Sequence, residues 1–460
     1  MYIWAGYDFE AHIHLYKWQE LNILLDVNSG AIHVVDDLAF RFISLLMKYK
    51  GDFHQALEDC QHIYTQSEIE TMFVEILTAY EKGALFTEPD DIKVDLSQMT
   101  PKALCLNVAH ACNMKCKYCF ASQGNFGMNP SLMPYAIGQQ ALDFLVKESG
   151  TIKNLEVDFF GGEPLLNFEV VKELVKYGRK IEAKTDKKFN FTLTTNGLLL
   201  NKEIMDFIIA EEISIILSLD GRPEINDQNR VLNDGSGTYE LILPKIKEMV
   251  SKDPISYYIR GTFTRDNLNF SQDLVHMVEL GFNSISLEPA VGPELDESIK
   301  TEDLPHVLKE YEKLTDVLLD YHKSGQQIHF FHYNLNLQRG PCLAKRHTGC
   351  SAGVEYLAVT PEGDIYPCHQ LVGEDKYIMG NVSSAAVLDK DIRHIFTHNT
   401  LSEKEICQHC WARNFCGGGC HVNNLKANGD IKKPDEISCN MHKKRIEGAI
   451  FLDLMKQIEY

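Results

Sequence analysis

No stretch of the 460-residue chain approaches the roughly 20 consecutive apolar residues that a membrane-spanning helix requires. The first residues also lack a basic segment followed by an apolar one, so no secretory signal is read and a cytoplasmic protein without a membrane is expected. Basic residues are outnumbered by acidic ones, 45 against 65, which leaves a formal charge of −20. A general nucleic-acid binder needs a basic surface, so that class is disfavoured. Neither a low-complexity tract nor a repeat of roughly 20–50 residues is present, which argues against a solenoid or propeller. What remains is an ordinary globular composition, long enough for about three domains. Thirteen cysteines are then conspicuous, because structural disulfides are rare in the cytosol. Metal binding is the default explanation.

The cysteines are unevenly placed. Cys60 and Cys105 stand alone, Cys112, Cys116 and Cys119 lie close together, and none follows until Cys342. Eight then crowd the last quarter: Cys342, Cys350, Cys368, Cys407, Cys410, Cys416, Cys420 and Cys439. Cysteine-rich segments around a cysteine-free middle suggest separate metal sites on one scaffold. Cys60 and Cys105 read as core, since free cysteine packs as a small hydrophobe.

Four regions are expected. In residues 1–86, strand-like runs at 12–18, 20–26 and 31–36 precede helical patterns at 37–49, 53–64 and 67–82. Three short strands and three helices make a winged-helix-like module. Residues 87–100 read as an acidic linker. From 101 to 330 strands and helices alternate, with strands at 103–109, 155–160, 189–195, 213–219, 256–263 and 283–288. Six βα units imply a parallel α/β sheet buried on both faces. A complete eight-stranded barrel needs about 250 residues, so a partial (β/α)6 barrel fits better, with a doubly wound sheet as the alternative. Residues 331–460 form a cysteine-rich C-terminal domain.

Cys112-x3-Cys116-x2-Cys119 follows directly after the first of these strands. Three thiolates can hold three irons of a [4Fe–4S] cube whose usual complement is four, leaving one iron open. A zinc site completed by His110 is the competing reading. In parallel barrels catalytic groups gather at the C-terminal ends of strands. Four further signals lie there: Gly161-Gly162-Glu163-Pro164, Thr194-Thr195-Asn196-Gly197, Ser218-Leu219-Asp220-Gly221 and Arg260-Gly261-Thr262. Glycine admits a ligand close to the backbone, a glutamate takes an ammonium group, Thr and Asn bond ribose hydroxyls, and an arginine holds a carboxylate. Together they describe a pocket for an amino-acid nucleoside. Asp220 and Glu288 at the same rim could assist deprotonation or serve as hydrogen-bond acceptors.

The sequence 112–119 and Gly161-Gly162-Glu163 resemble the cluster loop and amino-group-binding motif of the radical S-adenosylmethionine superfamily. The resemblance implies S-adenosylmethionine chelated to the open iron, with Cys112, Cys116 and Cys119 as cluster ligands. Tyr118, Gly161, Gly162, Glu163, Asn196, Ser218, Arg260 and Leu287 become the cofactor contacts, Glu163 taking the methionyl amine and Leu287 packing on adenine. Cys350-x12-Gly363-x4-Cys368, then Cys407-x2-Cys410-x5-Cys416-x3-Cys420 and Cys439, resembles the SPASM extension, which holds two auxiliary [4Fe–4S] clusters. That resemblance gives one cluster Cys342, Cys350, Cys368 and Cys420 and the other Cys407, Cys410, Cys416 and Cys439. Were Cys342 or Cys420 not a ligand, the first would keep an open iron. His369, His409 and His421 adjoin the cysteines as conceivable further ligands, and zinc ribbons are the alternative.

Over essentially the whole chain, including 24–36 and 104–110, the sequence is similar to the maturases of SCIFF peptides, cysteine-rich precursors of ranthipeptides. This implies thioether formation through a 5′-deoxyadenosyl radical, three [4Fe–4S] clusters, and an electron donor such as flavodoxin or ferredoxin. It also implies that the N-terminal module recognises the peptide's leader by strand addition at 31–35. Another radical modification of a peptide, a non-catalytic iron–sulfur electron carrier, or a zinc-dependent transcription factor are the rival readings.

Overall fold

The computed structural model describes residues 4, 6–89, 96, 99–292, 295–337, 347–384 and 388–458. The N-terminal module is a meander of β1 (Ile13–Trp18), β2 (Leu21–Asp26) and β3 (Ile32–Val35), all antiparallel, followed by helices Asp37–Lys48, Phe53–Gln61 and Gln66–Glu81. Each helix starts where its sequence supplies an N-cap acceptor: Asp36 to Ala39 N, Asp52 to Gln55 N, and a Thr65–Glu68 capping box. Their apolar faces close a separate core around Phe42, Ile43, Met72 and Phe86. Thr87, at the start of the expected linker, is tied back by its N–H to Asp26 Oδ2 at 3.0 Å. Most of the remaining linker lies outside the described residues.

The central sheet has ten strands. Six come from the expected units: β4 (Ala103–Ala109), β6 (Asn154–Gly161), β7 (Lys188–Thr195), β8 (Ser214–Ser218), β10 (Tyr257–Phe263) and β11 (Ser284–Pro289). A two-residue ribbon of β5 (Lys115–Cys116) and β9 (Arg230–Val231) stands apart from them. Strands β12 (His329–Phe330), β13 (Tyr356–Val359), β14 (Asp364–Tyr366) and β15 (Gly380–Asn381) complete the set. The order is β12-β11-β10-β8-β7-β6-β4-β13-β14-β15. From β4 to β12 every pairing is parallel and each strand lies beside its chain neighbour. The order therefore lacks the reversal that marks a doubly wound sheet.

One feature differs from expectation. Burial is complete on one face only: Leu155, Val157, Phe159, Phe191 and Leu193 are sealed in the main core, while Asp158, Phe160, Thr192, Thr194, Ser218 and Arg260 are half-buried on the other. The alternation is that of a sheet with one helix-covered face and one face turned to the site. The C-terminal region extends the same sheet. Its β13 pairs in parallel with β4, in register Ala358↔Cys105, and carries β14 and β15 outward as antiparallel strands.

The N-terminal module is bolted to the C-terminal cysteine region. His14 stacks on Trp411 with ring centroids 3.6 Å apart and meets Glu447 at 3.0 Å. Tyr16 Oη donates to the Glu447 carbonyl at 3.1 Å. The buried Arg413 donates to Ala11 O at 2.8 Å and Asn28 Oδ1 at 2.6 Å, and Asn414 Nδ2 to Val27 O at 2.6 Å. Arg413→Ala strands buried acceptors, a loss of about 1–3 kcal/mol. Faster limited proteolysis within residues 6–89 is the expected readout, with the central sheet's hydrogen exchange unchanged.

Candidate active site

The loop carrying Cys112, Cys116 and Cys119 leaves the C-terminal end of β4 and is wedged between neighbouring backbones. Gly162 N donates to Ala109 O at 2.7 Å and Glu163 N to Ala111 O at 2.9 Å. A Cβ on Gly162 would stand 2.1 Å from Ala111 O, and one on Gly124 would stand 2.7 Å from Cys112 Cβ. Glycine is what lets these segments meet. The β5–β9 ribbon pins the loop's other side, with Cys116 opposite Arg230. The three thiols converge, since charge on Cys116 or Cys119 bears on Cys112. Burial pushes Cys112 up to about 12 and Cys116 up to about 11, so both stay protonated until a metal displaces the proton.

Glu163 is 1% exposed beside this loop. Its carboxylate accepts from Thr195 Oγ1 at 2.7 Å, Asn196 N at 2.8 Å and Leu165 N at 3.1 Å. Burial pushes it up to about 6, against the pull of those donors. Among the described residues no cation lies within ion-pair distance of it. A buried carboxylate with oriented oxygens and no counter-ion, next to three thiols, fits a ligand ammonium. Asn196 holds the loop itself, its Nδ2 donating to Asn113 Oδ1 at 2.8 Å and reaching Cys112 Sγ at 3.8 Å.

Tyr118, Asp220 and Arg230 form a second network. Tyr118 Oη donates to Asp220 at 2.8 Å and accepts from Arg230 Nη1 at 3.1 Å. Asp220, 1% exposed, also accepts from Thr262 N at 3.0 Å. The following Gly221-Arg222 turn is fixed by Asp273, which accepts from Arg222 N and Nε at 3.1 and 2.8 Å. Asp220 thus serves as an acceptor that aligns the aromatic ring of the cluster loop. Arg230 was not singled out from sequence: it lies in a two-residue strand with no motif glycine beside it. Its Nε is buried without a hydrogen-bond partner.

Ser218, Arg260 and Ser286 share one register across β8, β10 and β11. Leu287 is 1% exposed in the main core, and a Cβ on Gly261 would stand 2.8 Å from it. Glu288 meets His332 Nε2 at 3.3 Å, while His332 Nδ1 lies 2.9 Å from Arg445 Nη1. A guanidinium can only donate, so Nδ1 accepts and Nε2–H points to Glu288. Burial pushes His332 down to about 4, which keeps the ring neutral near pH 7. His110 is fully buried, packs on Phe126 at 5.0 Å and has neither ring nitrogen bonded.

The C-terminal cysteines separate into two sets. Cys407, Cys410, Cys416 and Cys439 line one pocket. Charge on Cys350 and Cys420 bears on Cys368, as does charge on Cys105 of β4, and Cys420 bears on Cys350. Cys342 lies outside the described residues. Of the adjoining histidines, His369 Nδ1 pairs with Tyr356 Oη at 2.7 Å, and His421 is buried with Nδ1 unbonded. Cys105 is 2% exposed inside β4, and Cys60 is fully buried in the N-terminal core. Among the described residues no three such side chains converge as closely as a single metal ion requires. A four-iron cube, whose ligands spread around it, suits these donor sets better than zinc does.

Residues 103–242 match the family of 4Fe–4S single cluster domains, and residues 350–411 match SPASM, an iron–sulfur cluster-binding domain. A cysteine-type anaerobic sulfatase-maturating enzyme of Clostridium perfringens is 24% identical over 370 residues, 76% of this chain and 97% of that protein. The fold is that of native anSMEcpe with bound AdoMet and Cp18Cys peptide, at a TM-score of 0.64 and 23% identity over 78% of this chain and 99% of the other. Streptococcus suis SuiB bound to precursor peptide SuiA shares the fold over 93% of this chain and 98% of its own, at a TM-score of 0.53 and 16% identity. The chain is thus similar to radical S-adenosylmethionine proteins that carry a SPASM domain. It is homologous to anaerobic sulfatase-maturating enzymes, and its cofactors are 4Fe–4S clusters and S-adenosylmethionine. No helix among the described residues is long and apolar enough to cross a membrane.

Proposed function

We propose that this enzyme installs thioether crosslinks in a ribosomally made, cysteine-rich precursor peptide of the SCIFF type, joining a cysteine sulfur to a carbon of an acceptor residue. The observation that carries the reading is a small module with a bare β3 edge, fastened by Arg413 and His14 to the segment that bears Cys407–Cys439. Such an edge suits an extended leader, and tethering raises the effective concentration of the core peptide at the site.

In this reading the six parallel units form a partial (β/α)6 barrel. Cys112, Cys116 and Cys119 hold the cluster that binds S-adenosylmethionine. Bound there, the pair supplies the 5′-deoxyadenosyl radical that takes hydrogen from the acceptor carbon. The protein's own residues bind and orient: Glu163 takes the methionyl ammonium, Gly161 and Gly162 let the cluster loop seat against the backbone of Ala109 and Ala111, and Arg230 with Tyr118 and Asp220 fixes the loop. Cys407, Cys410, Cys416 and Cys439 hold one auxiliary cluster, suited to receive the surplus electron. Cys350, Cys368, Cys420 and Cys342 hold the other. A flavodoxin or ferredoxin supplies the reducing electron.

The test is mass spectrometry of a cysteine-rich precursor treated anaerobically with the loaded enzyme, S-adenosylmethionine and reductant. Loss of two hydrogens and one alkylatable thiol per link, resistant to disulfide reduction, is expected. A mass change with every thiol still alkylatable would point to oxidation, epimerisation or a carbon–carbon link instead. No peptide change, with S-adenosylmethionine still cleaved, would remove this peptide as substrate.

A further inference from the structure

Lys404 belongs to none of the motifs, yet it is 1% exposed and among the largest fully buried side chains. An ammonium is rarely sealed in a protein unless something offsets its lost hydration. Among the described residues its ammonium has one hydrogen bond, to a neutral acceptor: Nζ donates to Gly418 O at 2.8 Å. Gly418 stands midway between Cys416 and Cys420, the residues at which the chain passes from one thiol set to the other. At its other end Lys404 is built into the first set, its carbonyl accepting from Cys407 N at 2.9 Å. The space for its head is reserved, since a Cβ on Gly418 would lie 2.8 Å from Nζ. Burial holds the ammonium below the usual lysine range, and four nearby sulfurs oppose that in part: Cys407 and Cys416 of one set, Cys350 and Cys420 of the other.

We propose that Lys404 is a fixed cation shared by the two auxiliary clusters, which raises both reduction potentials and screens each cluster from the negative charge of the other. The inference rests on the reading that both thiol sets hold four-iron clusters. Its chemistry is simple. Adding one electron makes a cluster more negative, and a nearby cation in a low-dielectric interior favours that form. Both clusters are thereby biased towards taking an electron, and Lys404 acts as a positioning residue for charge, touching neither substrate nor S-adenosylmethionine.

The experiment compares the fully loaded wild-type enzyme with Lys404→Gln and Lys404→Arg in an anaerobic redox titration followed by electron paramagnetic resonance. Iron and sulfide are quantified on the same samples. Lys404→Gln should keep its iron while the reduction equilibrium of both auxiliary clusters falls about tenfold, equivalent to about 59 mV for a one-electron couple. The radical cluster should not move, and Lys404→Arg should stay near wild type. Unchanged auxiliary potentials in iron-replete Lys404→Gln, or a shift in one cluster alone, overturn the proposal. Loss of auxiliary iron in Lys404→Gln also counts against it, since the role would then be structural. A wild-type enzyme with about four irons in place of about twelve would instead remove the two-cluster reading beneath it.

Discussion

Replacing Cys112, Cys116 and Cys119 with alanine is expected to reduce 5′-deoxyadenosine formation to the level of a protein-free control. About four irons should be lost, with the iron of the C-terminal sets retained. The effect is chemical because the loop does not depend on its sulfurs for its course. Gly162 N and Glu163 N bind the carbonyls of Ala109 and Ala111 at 2.7 and 2.9 Å, and β5 pairs with β9 through backbone alone. The triple variant should therefore fold, and its far-ultraviolet circular dichroism should match wild type. Cys105→Ser is the control: this thiol is buried within β4 itself, and its loss should leave deoxyadenosine formation in place. Chromatographic quantification of deoxyadenosine decides the matter. Persistent formation in the triple variant would mean that these cysteines are not the site of cleavage.

Much of this site could be read from the chain because its parts are local. The triad, Gly161-Gly162-Glu163 and Thr195-Asn196 each sit in a few consecutive residues at the end of a strand, and strand ends are marked by where apolar alternation stops. The strands themselves are legible as short apolar runs between helical patterns, whereas the alternation of β6 and β7 over eight residues each is what confines full burial to one face. What stayed hidden depends on pairing between distant segments. Strands β13, β14 and β15 have four, three and two residues, too short to carry a period, and only their register with β4 makes them part of the main sheet. Arg230 reaches Tyr118 across 112 residues and Lys404 reaches Gly418 across 14. Neither spacing leaves a mark in composition. Arg413 resembles any lysine or arginine between cysteines until Ala11 and Asn28 are seen to receive its guanidinium.

The bare edge of the N-terminal module yields the other large expected effect. Of the two outer strands, β1 is already engaged, through His14 and Tyr16, by Glu447 of the C-terminal helix. Among the described residues, strand β3 has no partner strand on its far side. Asp26 N donates to Ala31 O at 2.9 Å, so pairs two residues on, Leu24 with His33 and Asn22 with Val35, are the hydrogen-bonded ones. The N–H and C=O groups of Ile32 and Val34 consequently point away from β2. Val34 is 47% exposed, and Val74, on the helix Gln66–Glu81, is 65% exposed. Proline is tolerated at an edge position whose N–H faces outward. Val34→Pro should leave the melting temperature nearly unchanged while deleting one donor and placing a ring where a leader strand would lie. Affinity for the leader peptide, measured by fluorescence anisotropy, should fall about tenfold or more, from a lost main-chain bond and the clash together. Uncoupled cleavage of S-adenosylmethionine, which needs no leader peptide, should continue at the wild-type rate. His33→Pro serves as the contrast, since its N–H lies within the sheet and its replacement should destabilise the module itself. Equal leader affinity in wild type and a folded Val34→Pro variant would rule out strand addition at β3 and move the peptide-binding surface elsewhere on the module.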